Sequence, residues 1–482
     1  MNTLFEHIIG FLAAFFFFDL SFGMLENTSL PFIVVWLIIG AIYLTFRFGF
    51  INVRVFRHAF DILIGKYKTP QDKGEISSFQ SLTTALSATV GLGNIAGVAI
   101  AISVGGPGAT FWMIVAGFFG MSVKFSEATL AQIYRQTRPD GKIMGGGMQY
   151  LSKGLEAKGY LKLGKVLAIA FAIFTIGGSL GAGNVFQASQ VMGALTPYVP
   201  TLQTNPIIFG LVLGGIIGFV IIGGLKRIAT TAAKIVPFMA IVYLTISLWI
   251  IGVHASEIPN AVMLIVSEAF NPTAATGGAI GVILVGFQRA VFSSEAGIGS
   301  AAIVHATATV KYPVRQGFVA LYEPFIDTIV ICTITALVII LTGVYDPNGA
   351  YQELIAANQG AALTSAAHAS VVWWFPWVLN VVIVLFAFST MIAWSYYGER
   401  SWTYLFGERY TLLYKLIFIG FTILASLTSA KILLDFSDLL LLAMALPNLI
   451  GIYILRGDIA KELKSYMAKL KSGELEKERI KE

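Results

Sequence analysis

Ala88-Thr89-Val90-Gly91-Leu92-Gly93-Asn94-Ile95-Ala96-Gly97 is a run of small and polar residues set inside an apolar segment, 79–104. Each glycine in a helix interior costs about 1 kcal/mol relative to alanine, and three fall within seven residues here. Close helix packing through small residues is one reading. The polar Ser87, Thr89 and Asn94 beside the glycines favour another, a broken helix. Lipid offers backbone groups no hydrogen bonds, so such a break survives at membrane depth only around a protein-lined cavity. A second run, Gly286-Phe287-Gln288-Arg289-Ala290-Val291-Phe292-Ser293-Ser294-Glu295-Ala296-Gly297, interrupts the apolar segment 277–303, and helix is expected to be lost over 286–297. Two broken helices, one in each half of a chain, are the sequence sign of a secondary transporter's binding site.

Composition points the same way. Of 482 residues, 56% are hydrophobic and 12% charged, against about 25% charged in soluble domains. Mean hydropathy is +0.78. The class is an all-α integral membrane protein. Cys332 is the single cysteine, so no internal disulfide forms, and no Cys/His set has zinc spacing. Residues 1–29 hold no Lys or Arg, which argues against a cleaved signal peptide.

A spanning helix needs roughly 20 mostly apolar residues. Eleven segments qualify: 30–48, 79–104, 108–134, 165–192, 206–224, 233–253, 277–303, 318–343, 371–397, 411–429 and 434–455. The apolar stretch 7–24, with Asp19 inside it, reads as an interfacial or re-entrant helix. With eleven spans, 29 of the 32 basic residues fall on one side, while the opposite loops 193–205, 254–276 and 344–370 carry none. Basic loops face the cytosol, so the N-terminus is expected outside and the C-terminus inside the cell (inner) membrane. The net charge of +6 thus reflects membrane topology and not nucleic-acid binding. Helices 2–6 and 7–11 each open on a glycine-interrupted span. An odd number of spans per unit gives the units opposite orientation, a 5+5 inverted repeat. The expected organisation is an N-terminal interfacial segment (1–29), a peripheral first helix and cytosolic loop (30–78), two repeats (79–253 and 277–455) and a cytosolic tail (456–482). The tail, amphipathic from Asp458, reads as a solvated, partly frayed helix near the anionic inner leaflet.

A break exposes a half-helix N-terminus whose free N–H groups attract an anion such as a substrate carboxylate. Carbonyls before the break suit a hard cation. Ser389-Thr390, two hydroxyls deep in an apolar span, either bond to their own helix or give oxygens to sodium. Arg289 is costly at the bilayer centre. It either pairs with Glu295, six residues on, or each faces the cavity. Phe287 and Phe292 either wall that cavity or pack on apolar neighbours. Lys124 and Glu127, three apart, share a helix face and suit a local ion pair. Asp327 suits a gate, a proton relay or an interhelical hydrogen bond, and His305 a structural role.

Several motifs resemble the alanine or glycine:cation symporter family over about residues 30–455. They are Gly93-Asn94-Ile95-Ala96-Gly97-Val98-Ala99 with Gly105-Gly106-Pro107-Gly108-Ala109-Thr110-Phe111-Trp112-Met113, then Phe292-Ser293-Ser294-Glu295-Ala296-Gly297-Ile298-Gly299-Ser300, Phe325-Ile326-Asp327-Thr328 and Trp394-Ser395-Tyr396-Tyr397-Gly398-Glu399. The resemblance implies a leucine-transporter-like fold, sodium (Na+) as coupling ion and a small neutral amino acid as substrate. Val90-Gly91-Leu92-Gly93-Asn94 is also similar to the broken first core helix of the sodium-coupled neurotransmitter symporters. By that likeness Ser87 and Val90 offer carbonyls to sodium, Ser389 and Thr390 complete its shell, and Thr89, Gly91, Gly93 and Asn94 surround the substrate. Gln187 matches a substrate-facing family position. Leu92 departs from the family, standing in the same shell where alanine carriers have a small or hydroxylated residue. The rival reading is a proton-coupled carrier on this fold, with Glu295, Asp327 or His305 holding the proton. No His-Glu-x-x-His, Gly-x-Ser-Gly or paired-carboxylate motif supports an enzyme.

Overall fold

Backbone buried in lipid must satisfy its own hydrogen bonds, and this chain does so with helices. The computed structural model describes residues 10–25, 29–68, 72–138, 141–270, 278–428 and 430–476. Among these, the one sheet is a two-stranded antiparallel pair, Gln136–Thr137 with Ile143–Met144. The principal helices are α1 (Phe32–Arg47), α2 (Ser78–Thr89), α3 (Gly93–Gly105), α4 (Gly108–Ile133), α5 (Leu161–Leu195), α6 (Pro206–Ile221), α7 (Gly224–Val253), α8 (Gly278–Ser294), α9 (Pro313–Thr342), α10 (Gly360–Ala369), α11 (Phe375–Phe406), α12 (Thr411–Ala425) and α13 (Ile432–Lys471).

Six of these, α4, α5, α7, α9, α11 and α13, are long and apolar enough to cross a membrane alone, and α2 with α3 makes a seventh. The protein is a multi-pass membrane protein. Every expected span finds a helix, and among the described residues length and hydropathy alone mark six or seven of the eleven as crossings. The reason is rise per residue. The 16 residues of α1 reach about 24 Å at 1.5 Å each, short of a hydrocarbon core of about 30 Å. Helices α6 and α8 are similarly short.

Four expectations need correction. First, α8 runs unbroken through Gly286, Phe287, Arg289 and Phe292 to Ser294, and helix is lost over 295–301 before a short turn at Ala302–His305. Glycine at 286 serves packing instead: a Cβ there would lie 2.6 Å from Trp112 Cβ and 2.8 Å from the Ala109 carbonyl. Second, the tail is not solvated along its length. Helix α13 continues to Lys471 with Ile459 and Tyr466 buried, and Tyr466 Oη lies 2.9 Å from His58 Nε2. Third, Lys124 pairs with Glu323 at 3.0 Å and not with Glu127. Fourth, Arg289 pairs with Asp438 and not with Glu295.

The expected interfacial stretch 7–24 lies partly outside the described residues. Within them, residues 10–16 are helical and the chain then turns back at Asp19. The Asp19 carboxylate accepts from the backbone N–H groups of Ser21 (2.9 Å), Gly23 (3.0 Å) and Leu30 (2.8 Å). Those donors hold its carboxyl below the ordinary carboxylate range.

Candidate functional site

Helix α2 starts on a capping box. Ser77 Oγ accepts from the Gln80 N–H at 3.1 Å, and Gln80 Oε1 accepts from the Ser77 N–H at 3.0 Å. The helix then runs twelve residues to Thr89 and ends at Val90, whose ψ of 82° is not helical. The chain restarts at Gly93 in a π-helical turn, with α3 bent 50° from α2. Similar π turns at Gly181–Val185 and Phe325–Cys332 bring two further elements to the same place. Such turns often mark functional sites.

Backbone donors freed by the break are taken up by side-chain amides. Asn94 Oδ1 accepts from the Gly91 N–H at 2.9 Å, and Gln187 Oε1 from the Leu92 N–H at 3.3 Å. Asn94 Nδ2 donates onward to Asp327 Oδ1 at 2.6 Å and to its carbonyl at 3.0 Å. Asp327 Oδ2 accepts from Ser293 Oγ at 2.8 Å and Thr328 Oγ1 at 2.7 Å. Asp327 therefore makes interhelical hydrogen bonds, joining the first break to the last turn of α8. Two glycines permit the approach. A Cβ on Gly93 would come 3.1 Å from Ser293 Cα, and one on Gly91 would sit 2.1 Å from Thr390 Oγ1.

On the other side of the break, Ser87 Oγ donates to the Ser389 carbonyl at 2.7 Å. Ser389 Oγ donates to the Phe386 carbonyl at 2.9 Å and reaches the Ser87 carbonyl at 3.5 Å. Thr390 Oγ1 is buried with no hydrogen-bond partner. Serine and threonine hydroxyls of α11 thus meet the end of α2, where Thr89 and Val90 complete the turn. All these residues are buried. The rings divide. Phe292 packs edge-on against Phe186 at 4.9 Å, next to Gln187 in sequence, whereas Phe287 faces Trp112 at 6.5 Å.

The second break is dressed differently. Glu295 has φ 57°, unusual for a residue with a side chain, and Gly297 and Gly299 have φ 98° and 78°. The Gly297 and Gly299 N–H groups donate to Glu127 Oε1, each at 3.0 Å, and Asn448 Nδ2 adds a third bond at 2.7 Å. Trp394 Nε1 donates to Glu295 Oε1 at 2.7 Å, and Ser300 Oγ bonds Oε2. Behind them Glu323 joins Lys124 to His305, whose Nδ1 faces Ser81 Oγ at 3.1 Å and Gln316 Nε2 at 2.6 Å.

Sequence reasoning missed several partners. Asp438, which also accepts from Gln288 Nε2 at 2.9 Å, follows Asp435 by three residues in an otherwise apolar stretch. Asn448 sits alone in an apolar run. The partners of Glu295, Trp394 and Ser300, lie within the family-like motifs. The loop 344–370 also holds more than its lack of Lys and Arg suggested. Its helix α10 lies on the first break, with Thr364 Oγ1 donating to the Ile95 carbonyl at 3.1 Å. Gln190 ties the start of α10 to α5, accepting from the Ala361 N–H at 3.2 Å and donating to the Asn358 carbonyl at 3.0 Å.

Known proteins share this plan. The chain is similar to the sodium/alanine symporter AgcS of Methanococcus maripaludis, at 40% identity over 90% of this chain and 94% of that one. It is similar to the probable sodium/glutamine symporter GlnT of Bacillus subtilis, at 34% identity over 98% and 93%. It is also similar to the amino-acid carrier protein AlsT of Bacillus subtilis, at 36% identity over 94% of each. The fold is similar to that of MhsT in complex with L-phenylalanine, a leucine-transporter-fold structure, with a TM-score of 0.53 at 13% identity over 80% of this chain and 89% of that one. The family model described as the sodium:alanine symporter family matches residues 19–481. With two interrupted helices meeting at a buried polar site, and with relatives of this identity and coverage, the chain belongs to the sodium:alanine symporter family, a family of transporters and not of enzymes.

Proposed function

We propose that this protein is a secondary active transporter that carries a small neutral amino acid into the cytosol together with sodium. It would cross the cell membrane eleven times as a 5+5 inverted repeat, with the N-terminus outside and the C-terminus in the cytosol. The carrying observation is the first break. The N–H groups of Gly91 and Leu92 are held by uncharged amide oxygens of Asn94 and Gln187. A substrate carboxylate is a stronger acceptor for the same donors, and the two displaced amides then serve the rest of the amino acid. Thr89 and Gly93 flank this place, Leu92 and Phe292 limit its size, and Phe287 lies outside that contact shell.

Sodium takes oxygen ligands, and the Ser87 and Val90 carbonyls with the Ser389 and Thr390 hydroxyls suit it. The unpartnered Thr390 Oγ1 supports this assignment, because a buried hydroxyl without a bond is costly. Sodium there would draw α11 onto the end of α2 and fix the donors that face the substrate, so each ligand would raise affinity for the other. The Arg289–Asp438 pair, near the N-terminal side of the second break, would close the outer path. Relatives named as sodium/alanine and sodium/glutamine symporters support the same ligand class.

Calorimetry on the purified full-length protein tests the reading. A panel of small amino acids is titrated in sodium and then in potassium buffer. Binding of a neutral amino acid in sodium alone is expected, and equal binding in both buffers would remove the coupling.

A further inference from the structure

Beside the second break, three carboxylates share one lysine out of reach of water. Glu127, Glu295, Glu323 and Lys124 are each at most 2% exposed. Compensation among them is uneven. Glu323 has Lys124 and His305. Glu127 accepts two backbone N–H groups and the Asn448 amide. Glu295 pairs with no Lys, Arg or His among the described residues. It has one firm donor, the Trp394 indole at 2.7 Å, and one hydroxyl, Ser300, that can donate or accept.

Charge balance then selects the residue. Lys124 is the one lysine beside three buried carboxylates, so ionising all three leaves buried negative charge without a counterion, which an apolar interior disfavours strongly. A proton on one carboxylate reduces it. Glu127 uses its Oε1 as a triple acceptor and is best ionised. Glu323 lies between two bases and is best ionised. Glu295 alone has an oxygen whose hydrogen bond survives reversal, with Oε2–H donating to Ser300 Oγ. Two atoms around this group, Glu127 Oε2 and Tyr397 Oη, are buried without a hydrogen-bond partner, beside the Lys124–Glu323 ion pair. They make the space polar enough for water or a proton to enter. Glu295 is also the residue at which α8 gives way, in a left-handed conformation that side chains seldom adopt.

We infer that Glu295 binds a proton at a site separate from the Ser87, Ser389 and Thr390 cluster, and that this proton exchanges with water when the 295–301 backbone rearranges. On release, the proton leaves Oε2 for water. The resulting carboxylate then accepts from both Trp394 Nε1 and Ser300 Oγ. The titratable groups around it are Lys124 and Glu127 on α4, Glu323 on α9, Tyr397 on α11 and, beyond Glu323, His305. The proton site stands without the symport reading, whereas its exchange during transport rests on it.

Infrared spectroscopy of the full-length protein in lipid at neutral pH gives the direct test. The wild type should show a protonated-carboxyl C=O band that Glu295→Gln abolishes. Trp394→Phe, which keeps the acid and removes its indole donor, should move the same band to higher frequency. Absence of the band in the wild type, or a band indifferent to both variants, overturns the site. Vesicles carrying equal sodium on both sides and a pH-sensitive dye test exchange. Amino-acid addition should move protons in the wild type and not in Glu295→Gln. Uptake without proton movement overturns exchange and leaves the symport reading intact. Absence of any uptake overturns the symport reading, and the infrared result then decides the proton site alone.

Discussion

The two helix breaks solve one backbone problem with opposite chemistry. At the first, the freed N–H groups of Gly91 and Leu92 meet neutral amides. At the second, those of Gly297 and Gly299 meet the carboxylate of Glu127. A neutral acceptor is the weaker one and yields to an incoming anion, whereas a buried carboxylate with three donors holds its place. On the proposed reading the first break holds the exchangeable amino acid, and Glu127 is the fixed charge of the second. Asp327, bonded to Asn94 on one side and Ser293 on the other, connects the first break to the end of α8 that leads into the second.

The comparison breaks most visibly at Asn94. Asn94→Ala removes the amide that would serve the bound amino acid and the donor to Asp327 together. At about 1.5 kcal/mol or more for each bond, substrate affinity should fall on the order of 100-fold. Calorimetry in saturating sodium reads it, and an unchanged affinity would place the substrate elsewhere. Glu127→Ala should act on stability instead, leaving two backbone donors unsatisfied at a cost of about 3 kcal/mol. The expected result is a lower unfolding temperature, largely restored in Glu127→Gln. Equal loss in both variants would mean that charge, not the acceptor oxygen, is what the second break needs.

A smaller effect sharpens the assignment at the first break. Ser389→Ala combined with Thr390→Ala should raise the sodium concentration needed for half-maximal binding about tenfold, roughly 1.4 kcal/mol. Affinity in saturating sodium should change little. Unaltered sodium dependence would take these hydroxyls out of the ion shell.

The smallest expected effect lies away from both breaks. Burial holds the His58 imidazole below its ordinary value of 6.5. The folded state therefore keeps His58 neutral while the unfolded state takes up a proton. Stability from this site is complete above that value and falls as pH drops below it. The protection of amides around Tyr466, which bonds His58, relative to their intrinsic exchange rate should fall below about pH 6, and protection insensitive to pH there would show that the tail is held by its apolar contacts alone.

What could be read from residues alone follows the same division. The first break was legible because three glycines and Asn94 sit inside one apolar run, so local backbone preference decides it. The second was placed several residues early. Gly286 looked like a breaker but serves close packing on Ala109 and Trp112, and the true break depends on Glu127 and Asn448, 170 and 151 residues from Gly297. The pairing of Arg289 with Asp438, 149 residues away, is of the same kind. Spacing within one helix suggested Lys124 with Glu127, and a tertiary partner, Glu323, overrode it. The docked tail was hidden because Ile459 and Tyr466 are sparse apolar residues among many charges, and only the groove that receives them shows their role.

The central claim is that the amides at the first break give way to an amino acid only when sodium is bound beside them. Uptake into proteoliposomes of the full-length protein, with pH equal on both sides, measures this most directly. An inward sodium gradient should drive accumulation of a small neutral amino acid, and Asn94→Ala should abolish it. Accumulation of every amino acid tested to the same level with and without the sodium gradient would contradict the account.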